Sequence, residues 1–294
     1  MKVVVHGNCQ SGAIRYLIKE LAPFTSVYAL EVHKCETDEA AEAEFASRLR
    51  EADIVPYQPV SDKYRNAPFL GTSFVTATAR PGATMVCYPS IYYHGYLQGY
   101  CQPDKNGGVL GYRSSNPPVA MVEGILAGDD DVSILEHLNS ETLIPEAGIR
   151  AYHQACVEEL RRREKEAEVL VPVSDYIDAN RFERKVFHTV NHPYRCLIAN
   201  MMNTILKEIG VPVTIAEEGP DPLAFTRVPC VPAVGKSFAE TEKERIFFAD
   251  SAGISRDEFF QASLSILRQY ETAKLDRMYA ANKKLWVSMT TAAG

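Results

Sequence analysis

Residues 2–21 read KVVVHGNCQSGAIRYLIKEL, and this stretch indicates the class of fold. Residues 3–6 form a short apolar run that is typical of a buried strand, and Gly7 permits a tight turn directly after it. Apolar residues then recur at helical spacing from Ala13 to Leu21, and Pro23 ends the helix. A strand, a turn and a helix in this order are the start of an α/β unit.

The following segments continue this alternation of strands and helices. Strands are predicted at 27–32, 53–57 and 84–88, with an amphipathic helix at 37–52. Such an order favours a parallel sheet with crossover helices. Helical patterns then dominate, at 119–126, 149–167, 195–209, 240–249 and 256–284. The sequence therefore predicts an α/β fold with a small, mainly parallel sheet and a largely helical C-terminal half.

Composition and charge exclude several classes of protein. The net charge of −7, from 31 Lys and Arg against 38 Asp and Glu, argues against a general nucleic-acid binder. No run of about 18 apolar residues is present, so no membrane span is expected. The N-terminus lacks a signal-peptide core, which predicts a cytoplasmic protein with its seven cysteines reduced. No two cysteines have C-x-x-C spacing, so no metal is expected, and the oligomeric state is left open.

Cys9 is the candidate nucleophile. It follows the first strand at the start of a helix, where backbone N–H groups and the helix dipole favour an anion and would lower the thiol pKa. Asn8 could donate its amide to a developing oxyanion, and Gln10 and Ser11 add polar groups. The alternative interpretation is a small buried cysteine with no chemical role.

His192 is the candidate general base for Cys9. It lies in a loop directly before Pro193, which suits the first turn of the following helix. The alternative is a capping or packed histidine. His94 lies in a Tyr-rich loop and could contact a substrate, whereas His6 is expected to pack inside the sheet.

A competing pattern starts at the same cysteine. Cys9, Gly12 and Arg15 satisfy C-x-x-G-x-x-R, the spacing of the phosphate cradle in cysteine-dependent phosphatases. However, the His that usually precedes that cysteine is Asn8 here, and the Ser or Thr after the arginine is Tyr16. A phosphatase stays an alternative at this point.

Several ordered segments resemble one family. They are Gly7-Asn8-Cys9-Gln10, the strand 52–55 with Gln58, Pro89, Gly95-Tyr96, Pro103-Asp104, residues 173–175, and Phe187 with Asn191-His192-Pro193. Over roughly residues 1–215 the chain resembles the WcbI-type family of polysaccharide biosynthesis enzymes, described as acetyltransferases. One departure is that residues 97–102 separate the Gly-Tyr and Pro-Asp pairs, which puts the role of Asp104 in doubt.

The resemblance implies a catalytic domain at 1–215, and we expect residues 216–294 to be a helical extension packed on it. It also implies coenzyme A as co-substrate, acetyl transfer to a sugar hydroxyl in capsular polysaccharide biosynthesis, and a distant likeness to SGNH hydrolases with a flavodoxin-like sheet. Cys9 then takes the nucleophile position and His192 the base. Gly7, Asn8, Gln10, Ser11, Gln58, His94 and Asn191 become oxyanion or substrate residues. The group that orients His192 is left open among Asn191, Asp175 and a backbone carbonyl.

Coenzyme A carries several phosphates, so a positive pocket is expected. Candidate residues in or beside loops are Lys105, Arg113, Lys185, Arg195 and Lys236. The tyrosines at 92, 93, 96, 100 and 112 would suit a sugar or an adenine ring, Tyr96 being the cofactor candidate; they could equally be a packed lid. The alternatives to an acetyltransferase are an SGNH-like esterase, the phosphatase, and a non-catalytic subunit that binds coenzyme A or sugar.

Overall fold

A four-stranded parallel sheet forms the N-terminal part of the protein. The structure, a computed structural model, describes residues 1–101, 116–238, 247–249 and 252–292. The strands are β1 (Lys2–Gly7), β2 (Ser26–Glu31), β3 (Ile54–Tyr57) and β4 (Thr84–Cys87), in the order β2-β1-β3-β4. All three pairings are parallel. The predicted α/β class is confirmed.

Three helices connect these strands: α1 (Cys9–Ile18), α2 (Glu39–Glu51) and α3 (Thr72–Thr78). The first two begin at side-chain caps, because Asn8 and Asp38 each accept a hydrogen bond from a backbone N–H of the first turn. Acidic residues in the first turn of α2 and arginines in its last turn also suit the helix dipole.

The central strand β1 is buried on both faces, as a parallel strand between crossover helices should be. Val3, Val4 and Val5 are at most 3% exposed. Val4 belongs to a core cluster with Phe45 and Leu49 of α2. Side chains alternate along a strand, so Val3 and Val5 point to the other face. The residues that follow β1 are therefore held on a rigid strand.

Helices make up most of the remaining chain. They are α4 (Val119–Ala127), α5 (Asp131–Leu138), α6 (Glu146–Glu166), α7 (Ser174–Asn180), α8 (Arg195–Glu208), α9 (Pro232–Ser237), α10 (Arg256–Leu267) and α11 (Thr272–Thr290). Four short strands lie among them: β5 (Phe187–Thr189), β6 (His192–Pro193), β7 (Phe247–Ala249) and β8 (Ala252–Ile254). The largely helical C-terminal half is confirmed.

Two of the predicted helices differ from the structure. The helix predicted at 240–249 is wrong over 247–249, which form β7 and pair antiparallel with β8; residues 240–246 lie outside the described part of the chain. The helix predicted at 256–284 is two helices, α10 and α11. They are separated because Glu271 has extended backbone angles (φ −61°, ψ 140°). The short helices α3, α5, α7 and α9 were not predicted.

By internal contacts the chain divides into two compact units. Unit 1 comprises residues 1–92, 158–178 and 191–223, and unit 2 comprises residues 93–157, 179–190 and 224–294. The domain boundary expected at residue 215 stays a prediction. Within unit 2, Glu123 of α4 accepts hydrogen bonds from Tyr279 and Trp286 of α11. Among the described helices, none has a stretch long and apolar enough to cross a membrane.

Candidate active site at the Cys9 turn

The Cys9 turn lies at the carboxyl edge of the sheet. From β1 the chain moves to β2 on one side, and from β2 it crosses to β3 on the other side. Open α/β sheets bind ligands outside the carboxyl ends of the strands at such a switch point. Asn8 and Cys9 directly follow β1, and Gln58 directly follows β3. The sheet topology therefore supports the predicted location of the site.

Asn8 is fixed by its role as the cap of α1. Its Oδ1 accepts a hydrogen bond of 2.9 Å from the backbone N–H of Gln10. This bond determines where the amide nitrogen Nδ2 points. Nδ2 approaches the Tyr92 phenol, but the contact falls short of full hydrogen-bond geometry, and this buried atom has no other partner among the described residues. Asn8 thus keeps a preoriented donor beside Cys9.

Gln10 and Gln58 form a buried amide network beneath the turn, and both are 0% exposed. Gln58 accepts from the Asn8 N–H at 2.8 Å and donates to the Gln10 side chain at 2.7 Å and the Pro89 carbonyl at 3.1 Å. Gln10 donates to the carbonyls of Ile91 at 2.7 Å and Asn191 at 3.0 Å. The network ties the turn to three separate segments of unit 1.

This network changes the roles expected for three residues. The amide hydrogens of Gln10 and Gln58 already have partners within the protein, so these side chains position the turn rather than donate to an oxyanion. Ser11 is buried and its hydroxyl donates to the carbonyls of Asn8 and Leu30. Gly7 is required by close approach, since a Cβ there would lie 2.5 Å from Gln58 Oε1 and 2.6 Å from the Tyr88 hydroxyl.

Asn191 is brought to Cys9 from the distant part of unit 1. Its Nδ2 donates to the Cys9 sulfur at 3.6 Å, and its backbone carbonyl lies 3.9 Å from that sulfur. The Cys9 sulfur therefore lies next to the amide of Asn191, with Asn8 Oδ1 4.0 Å away. The prediction that Asn191 belongs with Cys9 agrees with this geometry.

The electrostatics of Cys9 differ from the prediction. Burial raises the pKa of the Cys9 thiol to about 11, and the charge of Glu31 adds to the rise. Lys34 and the backbone N–H groups of Cys9 and Gln10 act in the opposite direction but do not compensate. The expectation that the helix N-terminus would lower this pKa is wrong, because the loss of hydration outweighs the dipole.

His192 directly follows Asn191 and opens the short strand β6. It is therefore linked through one peptide bond to the residue that holds the Cys9 sulfur. Asp175, one of the groups considered for orienting His192, pairs instead with Arg161 at 2.8 Å and is 83% exposed. His94 lies in unit 2, where its carbonyl accepts from the Leu97 N–H, and its contact with a substrate stays a prediction.

The cations expected to hold the coenzyme A phosphates have other partners. Arg195 donates to the carbonyls of Ala216 and Pro220 and so anchors the loop after α8. Lys236 pairs with Glu141 at 2.8 Å at the surface. Arg195 and Lys236 as phosphate contacts stay predictions, and in this structure their side chains have these partners within the protein. Lys105 and Arg113 lie outside the described residues.

Most of the described tyrosines of the tyrosine-rich loop belong to the core, whereas Tyr112 lies outside the described residues. Tyr93, Tyr96 and Tyr100 are at most 6% exposed. The Tyr96 hydroxyl donates to the carbonyls of Arg181 and Arg184, and its ring packs edge-on against Phe238. Tyr96 as a cofactor residue stays a prediction, and its ring and hydroxyl have these partners within unit 2. Tyr92 is the exception, at 37% exposure.

The phosphatase pattern does not form a phosphate cradle. Cys9, Gly12 and Arg15 all lie in α1, whose hydrogen-bonded helix begins at Cys9. The Arg15 side chain is exposed and its Nε donates to the Val27 carbonyl at 3.2 Å. A cradle needs the backbone between the cysteine and the arginine to wrap around the anion, so the C-x-x-G-x-x-R match is wrong as a site.

Three residues near the turn are not predicted from the sequence: Lys34, Arg65 and Tyr64. The charge of Lys34 acts on Cys9, that of Arg65 acts on His33 next to Lys34, and Tyr64 faces Tyr92. Each of them follows the carboxyl end of a strand, as Cys9 does. A search of every strand end at this edge would have found them.

Comparisons with known proteins agree with this fold. The model of the family described as "Polysaccharide biosynthesis enzyme WcbI" matches residues 2–214. A solved structure of WcbI, described as native protein without a disulfide bond between coenzyme A and a cysteine of that protein, superposes with a TM-score of 0.85. It covers 98% of this chain and 97% of its own at 19% identity, which shows a common fold. No curated protein sequence matches significantly. Since the family model spans most of the chain, this protein belongs to the WcbI family of polysaccharide biosynthesis enzymes.

Proposed function

We propose that this protein transfers an acetyl group from acetyl-coenzyme A to a sugar hydroxyl, with the Cys9 turn as the reaction centre. The observation that carries the proposal is the position of the Cys9 sulfur at the carboxyl end of β1, 3.6 Å from Nδ2 of Asn191 and 4.0 Å from Oδ1 of Asn8, whose Nδ2 lacks a full hydrogen bond among the described residues. Amide donors in a buried turn are what a thioester carbonyl needs when it gains negative charge. Membership of a polysaccharide biosynthesis family supports a sugar as the acceptor.

Asn8 is the proposed oxyanion donor. Its Nδ2 is held in place by the cap of α1 and lacks a full hydrogen bond among the described residues. A donor that is fixed before the reaction costs no reorganisation when the tetrahedral intermediate forms. The neighbouring glutamines cannot take this role without breaking the network beneath the turn.

The raised pKa of Cys9 favours direct transfer over an acyl-cysteine. A thiol with a pKa of about 11 is protonated at neutral pH and is a weak nucleophile. In direct transfer, His192 removes the proton of the sugar hydroxyl, whose oxygen attacks the thioester carbon. The carbon–sulfur bond then breaks, and the thiolate of coenzyme A takes up a proton. Cys9 lies beside the leaving sulfur in this scheme.

Lys34 and Arg65 are the proposed contacts for the phosphates of coenzyme A. Lys34 follows β2, and its side chain is 63% exposed. Its Nζ forms an ion pair with Glu31 at 2.7 Å. Arg65 uses one guanidinium nitrogen to hold the carbonyls of Val32 and Cys35 and is otherwise exposed. Its backbone is left-handed (φ 52°), a conformation that a non-glycine residue adopts at a cost and that is enriched at functional sites.

The first test is calorimetric titration of coenzyme A. Charge reversal of Lys34→Glu with Arg65→Glu should weaken binding at least tenfold, whereas Lys207→Glu with Arg50→Glu, on exposed helix ends, should leave it within twofold. Equal affinity of both double variants would contradict the assignment of these phosphates.

The second test addresses the reaction itself. Incubation with acetyl-coenzyme A and sugar acceptors should give acetylated sugar that is lost in His192→Ala and largely kept in Cys9→Ser. Intact-mass measurement should find no acetylated enzyme. Accumulation of an acetyl adduct on Cys9 would show that direct transfer is wrong. Release of acetate without sugar acetylation would indicate an esterase, and coenzyme A binding without turnover would indicate a binding subunit.

A further inference from the structure

A cavity of about 330 Å³ opens at the same edge of the sheet as the Cys9 turn. It is lined by Pro59, Pro89 and Ser90 and by the end of α6, including Arg163, Glu164 and Glu166. Its volume is at the lower end of the range of about 300–1,000 Å³ for small-molecule sites. The cavity is therefore suited to a single small ring.

The position of the cavity follows from the strand order. Pro59 comes two residues after β3, and Pro89 two residues after β4. Neighbouring strands are about 4.8 Å apart, so these residues begin roughly 5 to 10 Å from the end of β1 along the edge. Pro89 also shares the Gln58 network with Asn8, through hydrogen bonds of 3.1 and 2.8 Å. The cavity and Cys9 are thus held in a fixed relation.

Tyr92 connects the cavity with the Cys9 turn. Its phenol approaches the Asn8 amide and lies near Cys9. Its backbone carbonyl accepts a hydrogen bond of 2.9 Å from Arg163, which lines the cavity. Tyr92 is also the one tyrosine among those described at 92, 93, 96 and 100 whose ring is exposed. A ring at this place gives a sugar an apolar surface between the cavity and the sulfur.

The lining indicates the charge of the ligand. Glu164 and Glu166 line the cavity with two carboxylates and Arg163 with one guanidinium. Glu164 accepts from the backbone N–H groups of Val173 and Ser174, Arg162 pairs with Glu166, and Glu159 pairs with Arg163. With these partners included, three carboxylates meet two guanidinium groups, so the region is acidic. A carboxylate or phosphate on the ligand would meet like charge. A sugar hydroxyl can donate to a carboxylate and accept from a guanidinium, and the two prolines offer apolar surface to the C–H faces of a ring. An uncharged sugar satisfies this lining better than a uronic acid.

We propose that this cavity is the acceptor subsite and holds one uncharged pyranose ring, with Tyr92 as the platform that presents its hydroxyl to the Cys9 turn. The proposal rests on the proposed acetyltransferase function, since that function is what makes this sugar hydroxyl the acceptor of the acetyl group. The binding of the ring is a separate property that can be measured without any reaction.

The test fills the cavity and follows sugar binding. Ala167 lines the cavity at the end of α6, so Ala167→Phe should occupy it, and Ala43→Phe places the same change on the exposed face of α2. Saturation-transfer NMR with the methyl α-pyranosides of mannose, glucose and galactose should show binding to the wild type and to Ala43→Phe. The signal should fall at least tenfold in Ala167→Phe, and the methyl glucuronide should bind more weakly than the neutral sugars.

Equal sugar binding by Ala167→Phe and Ala43→Phe would overturn the proposal, as would failure of all three neutral pyranosides to bind the wild type or stronger binding of the glucuronide. Coenzyme A titration of the same three proteins separates this from the proposed function. Ala167→Phe should retain coenzyme A affinity within twofold. Absence of coenzyme A binding in all three proteins would contradict the proposed acetyltransferase function. The sugar-binding measurements would still decide whether the cavity is a sugar site.

Discussion

Asn191 donates its side-chain amide to the Cys9 sulfur at 3.6 Å, although 182 residues separate the two in the sequence. The Asn191 carbonyl meanwhile accepts from Gln10, the residue next to Cys9. One residue therefore binds both the sulfur and the helix that carries it. His192 is the next residue in the chain and the first residue of β6.

Removal of the Asn191 amide should make Cys9 still less acidic. The hydrogen bond to sulfur favours the thiolate, so its loss in Asn191→Ala should slow alkylation by iodoacetamide about fivefold, equivalent to about 1 kcal/mol. The measurement is the alkylation rate of Cys9 by peptide mass spectrometry. Asn200→Ala, in α8, is the matched control and should alkylate at the wild-type rate. An unchanged rate in Asn191→Ala would show that the contact has no electrostatic effect.

The alkylation of Cys9 should also report its raised pKa directly. Since the thiolate is the reactive species and the pKa is about 11, the rate should rise about tenfold per pH unit from pH 7 to pH 10 without levelling off. Peptide-resolved alkylation across this range provides the measurement. A plateau of the alkylation rate below pH 9 would show that the pKa of Cys9 is not raised and that the helix N-terminus outweighs burial.

The sheet and the location of the site could be predicted from the sequence because both depend on local signals. Alternating apolar runs and helical patterns define the order from β1 to β4, and a turn after the first strand must lie at the carboxyl edge of a parallel sheet. Gln58 enters the site prediction only through the family resemblance, and the structure shows that it follows β3, the neighbour of β1.

The chemical roles could not be predicted in this way. The side-chain amides of Gln10 and Gln58 can donate to a ligand only if their N–H groups have no partner within the protein. Their partners include the carbonyls of Pro89, Ile91 and Asn191, which come close to these amides only in the folded chain. The pKa of Cys9 depends on how much water the fold removes, and a helix dipole inferred from the sequence says nothing about that. The burial of Tyr96 likewise follows from its contacts within unit 2.

The amide network beneath the turn should be essential for stability. Gln58→Leu keeps the approximate size of the side chain but leaves the Asn8 N–H and the Pro89 carbonyl without their partner, whereas Gln10 Oε1 still accepts from the Ile91 N–H. Each unsatisfied buried group costs about 1–3 kcal/mol, so we expect a loss of at least about 2 kcal/mol in the free energy of unfolding. Urea titration measures this loss. The exposed Gln261→Leu in α10 should change it by less than about 0.5 kcal/mol.

Two buried histidines should make the protein sensitive to acid. Burial lowers the pKa of His6 to about 4, although its bond to the Leu70 carbonyl opposes the shift. Burial likewise lowers the pKa of His153 to about 3, and the charge of Arg181 adds to this. Both side chains are 0% exposed. Each is therefore neutral when folded at pH 5, whereas an unfolded histidine with a pKa of 6.5 is mostly protonated.

The lowered pKa values of His6 and His153 determine how the free energy of unfolding changes with pH. A lowered pKa in the folded state means that the stabilising contribution is complete above pH 6.5 and is lost as the pH falls towards 4. From the unfolded pKa of 6.5 down to pH 5 is about 1.5 pH units, and each unit corresponds to 1.36 kcal/mol. At pH 5 each histidine therefore lowers the free energy of unfolding by about 2 kcal/mol. Urea unfolding of the wild type at pH 8 and pH 5 should show it. His6→Gln should be less stable at pH 8 but lose about 2 kcal/mol less on acidification. The exposed His137→Gln should behave as the wild type, and equal acid losses in His6→Gln and the wild type would contradict the assignment.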